Sequence, residues 1–314
     1  MLYAFDGTWS HDRSPHQWTN VCRLAKACHP GSVEYYAGVA NPLESKGVIP
    51  PRGSHATATA SIVDGALRDF ASHWKAGHDV VDVIAFSRGA VAALIFLNKI
   101  RDWAAGDPRR ESVRFRFVGL FDSIDTVGIG DHDWDFWYRK TLPTNVESAV
   151  HAIAIHETRA LYPVLDVKGA LQQAFSGNHC DVGGGYSATG LSDITLEWMY
   201  RAAEAAGVRF HRSLPELGLR PDPEGYPHRA SDARCLHRPR TMPEGTVMPA
   251  TYRWPILRED AAPLRNKSAP FRRQPVTWSF LDERYAKLGP LDLEEDLVVL
   301  DEEVEPPSLR ASAG

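Results

Sequence analysis

The sequence predicts an α/β protein with a mostly parallel central sheet flanked by helices. Three observations carry that expectation. First, short and largely apolar runs recur along the chain, the clearest being Val80–Phe86, as strands buried on both faces require. Second, several of these runs are separated by stretches with apolar residues at helical spacing, which is the βα alternation of a parallel sheet. Third, polar, glycine-containing turns follow the strand ends, where an open α/β sheet places its chemistry.

In chain order, residues 2–5 read as a strand that ends in Asp6-Gly7-Thr8, a turn that an Asx turn alone would also explain. Residues 19–29 suit a helix and 33–37 a second strand. Residues 38–57, rich in Gly, Pro, Ser and His, are expected to be a long loop. Ile62, Ala66, Phe70 and Trp74 mark a helix over 57–75 that Gly77-His78 ends. The apolar run Val80–Phe86 stops at Ser87, and Val91, Leu94, Ile95, Leu97 and Ile100 then fall at helical spacing. Ser87 therefore stands where a buried strand turns straight into a helix, between the small residues Ala85, Gly89 and Ala90. This is the nucleophile elbow, with Ala85 at its first small position. A serine that merely caps a helix is the alternative.

Residues 113–121 form the next predicted strand, with Asp122 at its tip. The stretch 123–147 reads as a lid-like insertion. Its aromatics Trp134, Phe136 and Trp137 suit an apolar substrate wall, or else a satellite core. Its aspartates have no recognisable calcium-ligand spacing. A strand follows at 149–155. His151 and His156, five apart, face opposite sides of it and are read as structural. A short helix is expected over 156–162 and a strand over 171–176. The run Gly177-Asn178-His179-Cys180-Asp181-Val182-Gly183-Gly184-Gly185-Tyr186 then places a histidine in a glycine-rich loop directly after a strand, where a mobile backbone could lower it onto a nucleophile. A helix over 191–206, with Ser192 as its expected N-cap, ends at Gly207.

Ser87, Asp122 and His179 occur in the order nucleophile, acid, base, each at the carboxyl end of a predicted strand. Ser87 would attack an acyl carbonyl, His179 would carry the proton, and Asp122 would hold the imidazole. Asp125 rivals Asp122 as the acid; Asp6 and Asp181 are weaker rivals that more readily order loops. Backbone N–H groups of Arg88 and of the Gly7-Thr8 turn would bind the oxyanion.

Hydrophobic content of 43%, charged content of 24% and a net charge of −5 exclude a basic nucleic-acid footprint. The four cysteines show no zinc spacing and read as reduced thiols. No metal and no cofactor is expected. No apolar run approaches the roughly 20 residues of a membrane span, and no signal peptide precedes the first strand. The expectation is one domain, with a core over about 1–207, a wrapping Pro- and Arg-rich segment over about 208–290 in which His211, His228 and His237 are structural or exposed, and an acidic tail over 291–314. The chain is expected in the cytoplasm, or exported without a cleavable leader.

Taken together, Phe5-Asp6-Gly7-Thr8-Trp9, Phe86-Ser87-Arg88-Gly89-Ala90, Val118-Gly119-Leu120-Phe121-Asp122, His151-Ala152-Ile153-Ala154-Ile155, the Phe175–Tyr186 run and Leu191-Ser192 resemble the catalytic domain of the type VI secretion phospholipase effectors and their relatives. The resemblance spans about residues 2–200, with a weaker echo at 279–285. It implies the α/β-hydrolase fold and a serine hydrolase acting on esters, lipid esters foremost, with Ser87, Asp122 and His179 as nucleophile, acid and base. Its implied partners are a lipid or small ester and, peripherally, a membrane. Ala85 replaces a usual glycine, His156 stands where the family often has an acidic residue, and no counterpart of the effectors' large membrane-anchoring extension is expected. A thioesterase or peptidase with the same triad, or a non-catalytic protein that binds a ligand in the same pocket, are the alternatives.

Overall fold

In the computed structural model, six strands form one parallel sheet in the order β2-β1-β3-β4-β5-β6. They are β1 (Leu2–Phe5), β2 (Val33–Tyr36), β3 (Val80–Phe86), β4 (Arg114–Phe121), β5 (Ala149–Ala154) and β6 (Leu171–Phe175). The structure describes residues 1–8, 10, 12, 15–39, 54–124, 141–228, 237 and 239–248; of residues 16 and 54–57 it describes the backbone alone. The helices are α1 (Asn20–Ala27), α2 (Ser54–Lys75), α3 (Gly89–Ala104), α4 (His179–Gly183) and α5 (Gly190–Ala205). The α/β class expected from the sequence is the one observed.

Strand periodicity divides the core in two. Leu2, Ala4, Ile84 and Phe86 point to the face covered by α1 and α5, against Leu24, Trp198 and Met199. Tyr3, Phe5, Val83 and Ala85 point to the face covered by α2 and α3, against Phe70, Phe96 and Leu97. A register shift opposite Val81/Asp82 leaves Arg116 as an extra residue in β4. It puts Phe115 on the α2/α3 face and Phe117 on the other. Arg116 closes the bulge by pairing with the buried Asp82 through Nε (2.9 Å) and Nη2 (2.5 Å).

The chain leaves β1 toward β2 on one side and leaves β3 toward β4 on the other. The switch in winding therefore lies between the carboxyl ends of β1 and β3, where open α/β sheets leave a crevice. The Asp6-Gly7-Thr8 turn and Ser87 both stand there.

Three local expectations are corrected. Residues 156–162 form turns, not a helix, because the Glu157 carboxylate bonds the Arg159 N–H two residues on (2.8 Å) and bends the chain. His179 does not ride on a mobile loop but is the first residue of α4. Asn178 caps that helix, accepting from the Cys180 and Asp181 N–H groups, while Asp181 accepts from the Asn178 N–H in return. The helix α5 starts at Gly190, two residues before Ser192; its N-cap is Thr189, whose hydroxyl donates to Asp193 (3.0 Å).

The described part of the C-terminal segment makes turns and single bridges, Cys28 to Phe210, Arg159 to His237 and Gln173 to Val247. His211 donates its N–H to Ala27 O (2.7 Å), and His237 meets the Thr158 hydroxyl (2.9 Å). The expected loop over 38–57 and the insertion over 123–147, each except at its two ends, and the tail lie outside the described residues, and Asp125, Trp134, Phe136 and Trp137 fall among those not described.

Gly89 sets how closely α3 sits on β1. A Cβ at this position would lie 2.5 Å from the backbone oxygens of Phe5 and Asp6, atoms that cannot rotate away. Gly89→Ala is expected to destabilise the domain by about 1–3 kcal/mol in urea unfolding, in spite of alanine's better helix propensity. Equal or higher stability would contradict this packing.

Candidate active site

The elbow forces Ser87 into the left-handed region, at φ 57°. Asp122, at the end of β4, shares this trait at φ 37°, and the two are the non-glycine residues with positive φ among those described. For residues with a Cβ such backbone is held only where the surroundings over-determine it. Here Ser87 N–H donates to Phe121 O (3.0 Å) and Asp122 N–H to Ala152 O (2.7 Å), so each bend is tied to the neighbouring strand.

Three strand ends bring the polar side chains together. His179 Nε2 lies 2.8 Å from Ser87 Oγ, and Nδ1 lies 2.5 Å from Asp122 Oδ2. All three side chains are buried. The carboxylate faces Nδ1, so Nδ1 carries the proton and donates it to Asp122, leaving the Nε2 lone pair to accept from the Ser87 hydroxyl. The ring is sandwiched by Phe86, 4.5 Å away between centroids, and by the edge of Tyr162 at 5.1 Å.

The support of this arrangement is layered. Asp122 Oδ1 accepts from Ala154 N–H (2.9 Å). The next residue, Ser123, donates its N–H to His151 Nε2 (3.0 Å), and the other His151 nitrogen meets Gln172 Oε1 (3.2 Å). His156 Nδ1 accepts from Gly177 N–H (2.9 Å), and Glu157 Oε2 from His179 N–H (3.3 Å). His151 and His156 thus support the turns that carry Asp122 and His179. Gly177 has φ 116°, and a Cβ there would lie 2.3 Å from that of Asp181, so the turn into α4 needs a glycine. Asp181, an alternative acid in the sequence, holds the far side of α4 through the N–H (2.9 Å) and Nδ1 (2.5 Å) of His228.

Asp6 likewise orders a loop, accepting from Gly7 N–H (2.7 Å), Thr19 Oγ1 (2.7 Å) and Tyr35 OH (2.6 Å). The Gly7 N–H expected at the oxyanion site is thus engaged by Asp6. Thr8 and Arg88 stay together at the mouth, with Arg88 Nη1 3.3 Å from Thr8 Oγ1.

One residue that sequence reasoning passed over reaches the centre. Arg240, from the C-terminal segment, grips Asp122 with both ends of its guanidinium, Nη1 to Oδ1 at 2.6 Å and Nη2 to Oδ2 at 3.0 Å. No local pattern marked it within a Pro- and Arg-rich stretch.

Burial opposes ionisation of Asp122, yet Arg240 and His179 hold the carboxyl well below its usual range. Burial also keeps the His179 imidazole below its ordinary range, with Asp122 pulling the other way and Arg240 adding to the depression. The Cys180 thiol beside it is pushed up to about 12 by burial and offers no thiolate at neutral pH. Among the described residues no group of three or more His, Cys, Asp or Glu could hold a metal ion, and no helix is long and apolar enough to cross a membrane.

The site is a buried hydroxyl–imidazole–carboxylate relay at the switch point of a parallel α/β sheet. Residues 97–202 match the family model described as "T6SS, Phospholipase effector Tle1-like, catalytic domain". The resemblance read in the sequence therefore holds over a stretch that carries Asp122 and His179, with Ser87 just ahead of it.

Among solved structures, an uncharacterized protein from Pseudomonas aeruginosa is similar at TM-score 0.51 and 18% identity, over 69% of this chain and 48% of that one. A Tle1 effector bound to the VgrG spike of the type 6 secretion system is similar at TM-score 0.44 and 18% identity, over 59% of this chain and 50% of that one. The chain thus spans about half the length of these solved structures. No curated protein matches the chain.

Burial pushes His151 and His156 each down to about 4 from the ordinary 6.5. The unfolded chain therefore binds more protons than the folded one across that window. Stability is full above it and falls as the pH drops through it. Urea unfolding at about pH 7.5 and about pH 5 is expected to differ by on the order of 2 kcal/mol for each imidazole. Equal stability at the two would contradict neutral burial.

Proposed function

We propose that the chain is a serine hydrolase that cleaves carboxylic ester bonds of lipids, phospholipids foremost, through an acyl-enzyme. The observation that carries the reading is the continuous Ser87–His179–Asp122 relay with its tautomer fixed by a buried carboxylate. The match of residues 97–202 to a phospholipase effector family supports the lipid ester as substrate.

In the first half-reaction Ser87 Oγ bonds to the ester carbonyl carbon and its proton passes to His179 Nε2. The oxyanion that forms would sit against backbone N–H groups of Arg88 and Thr8, at the start of α3, where the helix dipole also favours negative charge. The C–O bond to the alcohol then breaks, and His179 returns the proton to the departing oxygen. In the second half-reaction water gives a proton to His179 and its oxygen to the acyl carbon. Collapse frees the carboxylic acid and restores the Ser87 hydroxyl. Asp122 stays ionised throughout and stabilises the imidazolium.

The test is hydrolysis of a p-nitrophenyl ester series of rising chain length, beside a phosphatidyl substrate. Wild type is expected to turn over both. Ser87→Ala should lower kcat by about 10⁶-fold and Asp122→Asn by about 10⁴-fold, the latter with reduced stability because Arg240 loses its buried partner, and circular dichroism checks that each variant is folded. Activity that survives Ser87→Ala would overturn the mechanism. A folded wild type inert on every ester would instead favour a binding role.

A further inference from the structure

Arg240 lies outside every helix and strand and 118 positions from Asp122 in sequence, yet its side chain is 4% exposed. Four of the five N–H groups of its guanidinium are engaged. Nη1 donates to Asp122 Oδ1 (2.6 Å) and Ala154 O (3.2 Å), Nη2 to Asp122 Oδ2 (3.0 Å), and Nε to Tyr162 O (2.9 Å). A planar fork held at four points has one orientation, and it imposes a plane on the carboxylate it grips. Asp122 Oδ2 accepts both from Arg240 and from His179 Nδ1. The guanidinium and the imidazole therefore share one oxygen, and what fixes one end fixes the other.

We infer that Arg240 is a positioning residue for the reaction: it clamps Asp122 in the plane that meets His179 and, as a fixed cation next to that pair, adds to the burial that leaves Nε2 free to accept the Ser87 proton. The inference rests on the relay reading above.

The other charges that face His179 do not substitute for it. From the turns after β5, Glu157 accepts the His179 N–H but is paired through both oxygens with Arg159 (2.9 and 2.7 Å). Tyr162 presents a ring edge, with the Arg159 and Arg88 guanidinium groups over its face at 3.6 and 5.7 Å. On α4 itself, Cys180 is a protonated thiol and Asp181 is paired with His228. From β4, Asp122 favours the imidazolium, and Arg240 is the cation in direct contact with it. The consequence is chemical. A carboxylate held ionised by a guanidinium orients the ring without taking its proton. It also stabilises the imidazolium less than a lone buried carboxylate would, so the base stays unprotonated to lower pH.

The test is an NMR titration of the His179 imidazole in the full chain, with its signals assigned through His179→Gln, alongside the pH profile of ester hydrolysis. Folding of each variant is checked by circular dichroism. In Arg240→Gln the midpoint should rise by about 1 unit or more, because a cation next to the pair is removed. The acid limb of kcat/KM should move up with it.

In Arg240→Lys the charge remains but the fork is lost, so the midpoint should stay near that of wild type while kcat falls about tenfold. A folded Arg240→Gln with the wild-type midpoint would overturn the inference and leave Arg240 a tie for the C-terminal segment. If the glutamine variant does not fold, wild-type kcat in Arg240→Lys overturns it instead. The titration reads His179 without turnover. A wild type that titrates as expected but hydrolyses no ester would count against the hydrolase reading and not against the role of Arg240.

Discussion

The site depends on one buried charge. The Asp122 carboxylate has no solvent exposure, and a lone carboxylate at that depth would neutralise by taking a proton. It stays ionised because four donors converge on it: Ala154 N–H, His179 Nδ1 and two nitrogens of Arg240. Breaking a buried pair of this kind costs about 3–5 kcal/mol, since the surviving charge is left uncompensated. The same carboxylate fixes the His179 tautomer, and through it the direction in which the Ser87 hydroxyl points. Fold stability and the geometry of the relay therefore hang on one group.

The sheet supplies the convergence. β3 delivers Ser87 beside the winding switch, β4 delivers Asp122, and the edge strand β6 with the α4 cap delivers His179, all at carboxyl ends. Strain is concentrated at the first two, where a non-glycine residue takes positive φ and a neighbouring strand end ties the bend down. The third is held by hydrogen bonds, the Asn178/Asp181 cap, the His156–Gly177 contact and the Glu157 carboxylate, and by ring packing against Phe86 and Tyr162. This is a preorganised site, in which little has to move for the proton to pass.

Most of this was legible in the sequence because it is written locally. An apolar run that breaks at Ser87 into a helical pattern needs no tertiary knowledge to be seen. Asp122 at a strand tip and His179 after a strand were found in the same way. The cap of α4 was also present as Asn178-x-x-Asp181, but the glycines on either side favoured a loop reading. The turns at 156–162 were misread as a helix because the bond from Glu157 to Arg159 competes with helix formation and leaves the residue types unchanged. Arg240 was not legible at all. Its partner lies 118 residues away, and one arginine in an aperiodic, arginine-rich segment carries no sign of which is buried. Long-range charge pairing on irregular backbone has no period to read.

A Ser87 activated as a nucleophile by His179 reacts with a fluorophosphonate, so the decisive measurement is to react the folded chain with that probe and map the adduct by mass spectrometry. A single adduct on Ser87 is expected, formed at a rate that drops by about 10³-fold or more in His179→Gln. No adduct on the folded protein, or labelling at Ser87 that is indifferent to His179, would contradict it.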